Sequence, residues 1–196
     1  MKPVGILLFC LFCMGAQAQK QHAIGVRAGW NYTTLTRTSL AYTSNAYAGV
    51  YGELQLGKYF YFQPEFTYSK HGADGPVHLR ADKTLSTEDP RVDYLGFGII
   101  GKLALPSQFR LLVGQYFDQA IQLNKTFRTS LDPGITFGAE YKAPSGLGID
   151  LRVKRGFADQ LDSGIYQTYG TGTGLFHFDR NSNLGVQLGL NYTFGL

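Results

Sequence analysis

Histidines, cysteines and any serine close to a histidine and an acid are where chemistry would show first in this 196-residue chain. Its four histidines are His22, His71, His78 and His177. His71 and His78 flank Asp74, with Asp82 just beyond. Imidazole and carboxylate are sound donors for a divalent metal, but this spacing matches no established ligand pattern, and exposed loop residues account for it; no metal site is assigned. His177 and Asp179 stand close to Ser182. A hydrolase would need hydroxyl, imidazole and orienting acid within hydrogen-bond reach of one another. Neither a nucleophile elbow nor a zincin-like run accompanies them, so no catalytic residue is assigned. The run Tyr169-Gly170-Thr171-Gly172-Thr173-Gly174-Leu175 is glycine-rich, yet it lacks the lysine, the preceding parallel strand and the helix of a phosphate loop. No cofactor is implied.

Cysteine chemistry is removed by position. Cys10 and Cys13 both lie in an opening segment that reads as an export address: Lys2 near the start, an apolar run over 4–15, then Ala16-Gln17-Ala18. The apolar run is far short of the ~20 residues that a membrane helix needs. Residues 1–18 therefore read as a cleaved signal peptide and 19–196 as one domain. Without Lys2 the remainder carries 17 Lys+Arg against 14 Asp+Glu, a charge of +3. It has no disulfide framework and no thiolate site. So small a charge, with no clustered basic stretch, does not suggest nucleic acid as a partner.

Composition points to strands. Glycine accounts for 25 residues, tyrosine for 13 and phenylalanine for 14, while charged residues are only 16%. Glycine and aromatics are poor helix formers, and aromatics suit strands. From residue 23 onward the hydropathy returns eight times to a period of two. Ile24, Val26, Ala28, Trp30 and Tyr32 alternate with Gly25, Arg27, Gly29 and Asn31. Ala46, Ala48, Val50, Leu54 and Leu56 oppose Tyr47, Tyr51, Glu53 and Gln55. Phe60, Phe62, Phe66 and Tyr68 oppose Tyr61, Gln63, Glu65 and Thr67, with Pro64 as the weak point of that strand. In the fourth segment Leu95, Phe97 and Ile99 are set against Asp93, Gly96, Gly98 and Lys102. Leu111 and Val113 then oppose Arg110, Leu112 and Gly114, and Ile135, Phe137, Ala139 and Tyr141 oppose Gly134, Thr136, Gly138 and Glu140. Leu147, Ile149, Leu151 and Val153 oppose Gly148, Asp150, Arg152 and Lys154. Leu184, Val186, Leu188, Leu190, Tyr192 and Phe194 close the chain opposite Gly185, Gln187, Gly189, Asn191 and Thr193.

The connections at 57–58, 104–108 and 142–146 are short; those at 33–44, 69–90, 118–131 and 158–182 are long. Short turns on one rim and long loops on the other predict an all-β fold: an eight-stranded antiparallel up-and-down transmembrane barrel, its turns periplasmic and its four long loops external. The polar face carries Arg27, Glu53, Glu65, Asp93, Lys102, Arg110, Glu140, Asp150, Arg152 and Lys154, equal in acids and bases. An eight-stranded barrel leaves room inside only for side chains, so these ten are expected to form a mutually paired interior network. Trp30, Tyr32 and Tyr68 are expected in the aromatic girdle at the long-loop rim; Phe60, Tyr141, Tyr192 and Phe194 in the one at the short-turn rim. Tyr166, Tyr169, Phe176 and Phe178 make the last long loop amphipathic, a possible contact surface.

Several stretches carry a family resemblance: Gly25-Val26-Arg27-Ala28-Gly29-Trp30-Asn31, Phe60-Tyr61-Phe62-Gln63-Pro64-Glu65-Phe66, Tyr94-Leu95, Gly134 through Tyr141, and Leu188-Gly189-Leu190-Asn191-Tyr192-Thr193-Phe194. Through them the chain resembles the outer-membrane β-barrel proteins of Bacteroidota, including the PorT-type members. Where such proteins often carry a proline after the Tyr-Leu pair, this chain has Gly96-Phe97-Gly98. The resemblance implies insertion by the barrel-assembly machinery, which commonly reads an aromatic at the end of the last strand; here Phe194 precedes Gly195 and Leu196. It implies no shared enzyme chemistry. The expected neighbours are outer-membrane lipid and lipopolysaccharide, with a protein partner at the surface or in the periplasm. The expected role is non-enzymatic, structural or binding, through the long loops. The alternatives are a narrow pore for small solutes or an accessory part of a secretion apparatus.

Overall fold

The computed structural model describes residues 22–36, 38, 40–74, 77–78, 85–86, 91–121, 129–160 and 181–195. Its strands are β1 His22–Leu35, β2 Thr43–Gln55, β3 Phe60–Gly72, β4 Val77–His78, β5 Leu85–Ser86, β6 Arg91–Ala104, β7 Phe109–Ala120, β8 Leu131–Lys142, β9 Leu147–Gly156 and β10 Asn183–Gly195. Eight of them close in the order β1-β10-β9-β8-β7-β6-β3-β2, every neighbour antiparallel, while β4 and β5 form a separate two-stranded ribbon. The long strands, 10 to 14 residues each, meet the ~9–11 that a tilted strand needs to cross a bilayer. Closure gives every strand two neighbours, so no sheet edge meets hydrocarbon.

Alternation decides the two faces. Ile24, Val26, Trp30, Val50, Phe66, Leu95, Val113, Phe137, Ile149, Leu188 and Leu190 are exposed on the outside. Arg27, Glu65, Lys102, Glu140, Asp150 and Arg152 are buried inside. This is a soluble barrel turned inside out, as lipid contact requires.

Pro64 sits within β3 without ending it. Its ladder to β6 runs on unbroken through Pro64↔Ile99. The ladder to β2 lapses between Tyr51↔Glu65 and Leu54↔Phe62. The proline has no N–H to give, and the gap is confined to the β2 side.

Three hairpins join β2 to β3, β6 to β7 and β8 to β9 at the rim where His22 and Gly195 also lie. In the last of them Gly146 takes φ 88° and its carbonyl accepts from Thr193 N at 2.9 Å. A Cβ at Gly146 would come within 2.6 Å of the Thr193 carbonyl oxygen, so glycine serves both conformation and approach.

The structure corrects three readings of the strand ends. Asp93 shares its parity with Leu95, not with Gly96; it lies on the outer face, 3.4 Å from Lys70 of its paired position on β3. β3 runs on to Gly72, which brings His71 out of the presumed loop and into the barrel wall, its side chain buried. β7 extends to Ala120 and β8 begins at Leu131, so Asp118 and Asp132 belong to the interior as well. The sequence hid the last two because polar residues near a strand end read equally well as loop.

Candidate functional site: the filled barrel interior

The inward residues of all eight strands meet in three tiers. In the middle tier Arg27 on β1 bridges two carboxylates. Its NH1 lies 3.0 Å from both oxygens of Glu65 on β3, and its NH2 lies 2.8 Å from Asp150 Oδ1 on β9. Arg152 NH1 lies 3.0 Å from each Glu65 oxygen, and its Nε is 2.9 Å from Asp150 Oδ1. Gln63 Nε2 and Asn191 Nδ2 donate to Glu65 and Asp150 at 2.8 and 3.1 Å. Two guanidiniums and two carboxylates thus compensate one another where neither sign would be tolerated alone.

Toward the short-turn rim, Lys102 Nζ donates to Glu53 at 2.9 Å and to Glu140 at 2.8 Å. Arg110 NH1 donates to both Glu53 oxygens at 3.0 and 2.9 Å. Lys142 Nζ donates to Tyr51 Oη at 3.2 Å, to Asn191 Oδ1 at 2.9 Å and to Thr193 Oγ1. Toward the long-loop rim, Lys154 Nζ donates to Asp118 at 2.8 Å, and His71 Nδ1 is 3.7 Å from the same carboxylate oxygen. Asp132 accepts from Asn183 Nδ2 at 2.7 Å and Ala158 N at 3.3 Å. Among the described inward residues the ends therefore differ in sign: one cation in excess at the short-turn end, one carboxylate in excess at the other.

Tyrosines form a second set of partners that the sequence reading left unassigned. Arg27 lies over the Tyr47 ring at 4.9 Å, Arg110 over Tyr61 at 4.4 Å and Lys154 over Tyr116 at 3.9 Å. Lys102 and Lys142 face the Tyr51 ring at 5.5 and 5.7 Å. Each such contact adds ~0.5–2 kcal/mol where water is excluded. The available signal was that Tyr47, Tyr51, Tyr61 and Tyr116 share the parity of the charged residues. Tyr51 has its space because Gly25 faces it: a Cβ there would meet the ring at 2.2 Å.

Of the ten residues proposed for the interior network, nine meet in these tiers and Asp93 lies outside. The proposed girdle residues Trp30, Tyr32, Phe60, Tyr68, Tyr141, Tyr192 and Phe194 are all exposed on the outer face. Tyr32 stacks on Tyr42 at 4.8 Å, Phe109 meets Tyr141 edge-on at 5.3 Å, and Tyr192 meets Phe194 at 4.9 Å. Of the metal trio, His71 faces inward while Asp74 is exposed and bridges to Ala41. No metal-binding group of histidines and acids is found among the described residues. Ser182 is buried, bonded to Thr36 at the long-loop rim. His177, Asp179, Tyr166, Tyr169, Phe176, Phe178 and the 1–18 segment lie outside the described residues.

The family model described as "Outer membrane protein beta-barrel domain" matches residues 16–162. Comparison with curated proteins found no match. Among solved structures, Neisserial surface protein A is 10% identical with a TM-score of 0.48, covering 88% of this chain and 97% of that one. Ail, the attachment invasion locus protein of Yersinia pestis, is 9% identical with a TM-score of 0.46, covering 90% and 100%. A de novo designed transmembrane β-barrel is 9% identical with a TM-score of 0.45, covering 88% and 95%.

Proposed function

This chain belongs to the outer membrane protein beta-barrel domain family, and from that premise we propose that it is a closed, non-enzymatic anchor that holds its long loops at the cell surface for a partner or ligand. It is a small eight-stranded barrel of the outer membrane. The observation that carries the reading is the filled interior: ion-paired side chains occupy all three tiers, and the middle one spans from β3 to β9. An interior so occupied offers no wet path for solutes, which argues against the pore. What remains for function is the rim. In this proposal that role falls to the stretch 161–180, whose sequence carries Tyr166, Tyr169, Phe176 and Phe178, aromatics of the kind that anchor interfaces.

In this reading the 1–18 segment directs export and is removed, and the barrel-assembly machinery inserts the chain. Lipid and lipopolysaccharide surround its apolar face. Kinship with the PorT-type proteins of Bacteroidota belongs to the same reading, and an accessory role in secretion is an alternative to it. The test is made on cell envelopes. Enrichment with the outer membrane, a gel-mobility difference between unheated and boiled samples, and protease cleavage within 161–180 on intact cells are expected. Purified protein should give no conductance steps in planar bilayers. Steady conductance, or cleavage only after the envelope is opened, would overturn it.

A further inference from the structure

The two mouths of the barrel are built differently. At the long-loop rim the roots of the loops are tied together. Thr36 N bonds to the Ser182 carbonyl at 3.0 Å, Gln160 N to the Asn181 carbonyl at 2.9 Å, and Ala41 and Asp74 exchange a pair of backbone bonds at 2.8 and 2.9 Å. Leu35, Ala73 and Leu40 pack beneath them. Among the described residues at that end, a pocket of about 10 Å³ lies beside His71, Tyr116 and Lys154, room for one water molecule. At the short-turn rim a vestibule of about 500 Å³ opens between the 142–146 turn and β7, within the usual size of a small-molecule site.

That vestibule has a cationic lining. Glu53 and Glu140 are already engaged by Lys102 and Arg110. Lys142 is the added cation: only 8% of it is exposed, and its hydrogen-bond partners among the described residues, Tyr51, Asn191 and Thr193, are all neutral. Among the described residues no carboxylate lies within ion-pair distance of it. Arg110 bonds Glu53 through NH1 alone among those residues, with its plane held against Tyr61. Its side chain keeps 15% exposure into the vestibule, leaving the rest of the guanidinium fork open. His22, Ser145 and Thr193 complete the rim. A buried ammonium without a carboxylate at ion-pair distance, beside a guanidinium with open donors in a pocket of this size, is a receptor for an anion.

We propose that the short-turn mouth is a binding site for a small phosphate- or carboxylate-bearing ligand, held between Lys142 and Arg110 and reached from the periplasm. The site is independent of whatever the long loops bind. A free metabolite and the headgroup of an inner-leaflet lipid share this chemistry, and they are separated by the probe.

Folded protein in dodecyl maltoside, a detergent without phosphate, is titrated calorimetrically with inorganic phosphate, acetate and sn-glycerol 3-phosphate, at matched ionic strength in chloride. Saturable 1:1 binding is expected for wild type. An affinity at least tenfold higher for glycerol phosphate than for phosphate points to the lipid headgroup, and equal affinity to a free anion. Lys142→Gln and Arg110→Gln are each expected to weaken binding at least tenfold. Lys58→Gln, an exposed cation at the same rim lying over Tyr59, should leave it unchanged. Should the buried substitutions fail to fold by gel mobility, Ser145→Glu on the exposed turn supplies a competing carboxylate and should abolish binding. Absence of saturable binding in wild type, or wild-type affinity in folded Lys142→Gln, Arg110→Gln or Ser145→Glu protein, overturns the proposal.

Discussion

The Arg27 guanidinium and the Glu65 carboxylate meet at 3.0 Å across the barrel interior, from strands β1 and β3 that share no ladder. Glu65 also receives Arg152 from β9 at 3.0 Å. One carboxylate thus ties three non-adjacent strands, and its loss would leave two buried guanidiniums to share the Asp150 carboxylate alone. Glu65→Gln should therefore lower unfolding stability by about 3–5 kcal/mol, the usual cost of breaking a buried ion pair from one side. Adding Arg152→Met should restore part of it. Urea unfolding in lipid vesicles, followed by Trp30 fluorescence, measures both; a single variant within ~0.5 kcal/mol of wild type would show that the interior tolerates the loose charge.

The outer face makes the opposite demand. Leu190 lies within β10 between Ala28 and Ile149, midway between the levels of Trp30 and Tyr192, and Leu147 opens β9 at the short-turn rim; both are exposed to lipid. Arginine at the membrane midplane costs ~2–4 kcal/mol and near an interface ~0–1. Leu190→Arg should therefore lose several times more stability than Leu147→Arg in the same vesicle assay. Equal losses would mean that the bilayer sits elsewhere on the barrel.

These relationships were unequally legible in the sequence. A one-residue slip sends a side chain to the other face, so the strict alternation from Leu147 to Lys154 assigned β9 without ambiguity. In β6 the run Gly96-Phe97-Gly98-Ile99-Ile100-Gly101 gives both parities small and apolar residues, and Asp93 was set on the wrong face. Asp118, Asp132 and His71 were lost for another reason: polar residues at the end of an inward-polar strand continue into the loop without a change in character. Partnership was invisible throughout. Arg27 and Asp150 are 123 positions apart, and only closure of the sheet brings them together. That Lys142, among the described interior cations, would have no carboxylate at ion-pair distance followed from geometry, not from charge count.

Gly25 lets the Tyr51 ring lie over it, and the Tyr51 hydroxyl in turn helps to hold Lys142. A side chain at Gly25 must move that ring, because its first carbon would overlap it. Gly25→Val is expected to cost about 1–3 kcal/mol through overpacking. Gly57, at the β2–β3 turn with open space around it, should take Ala with under ~0.5 kcal/mol of change. Urea midpoints compare the two; equal effects would show that Tyr51 moves freely.

In the proposed reading the middle tier is also the barrier across the barrel. Arg27, Glu65, Asp150 and Arg152 each have little or no exposure and together link β1, β3 and β9. Removing one leaves an unpaired charge, whereas removing all four removes equal numbers of each sign, and such balanced deletions are far gentler on stability. The quadruple replacement by serine should still fold, with its mobility difference intact. It takes out the long side chains that meet at the middle of the barrel and leaves small hydroxyls that water can solvate. Wild type should be silent in planar bilayers, and the quadruple variant should show discrete conductance steps. If the folded variant stays silent, the barrier lies in the tied loop roots around Thr36, Ser182 and Gln160 instead of the middle tier.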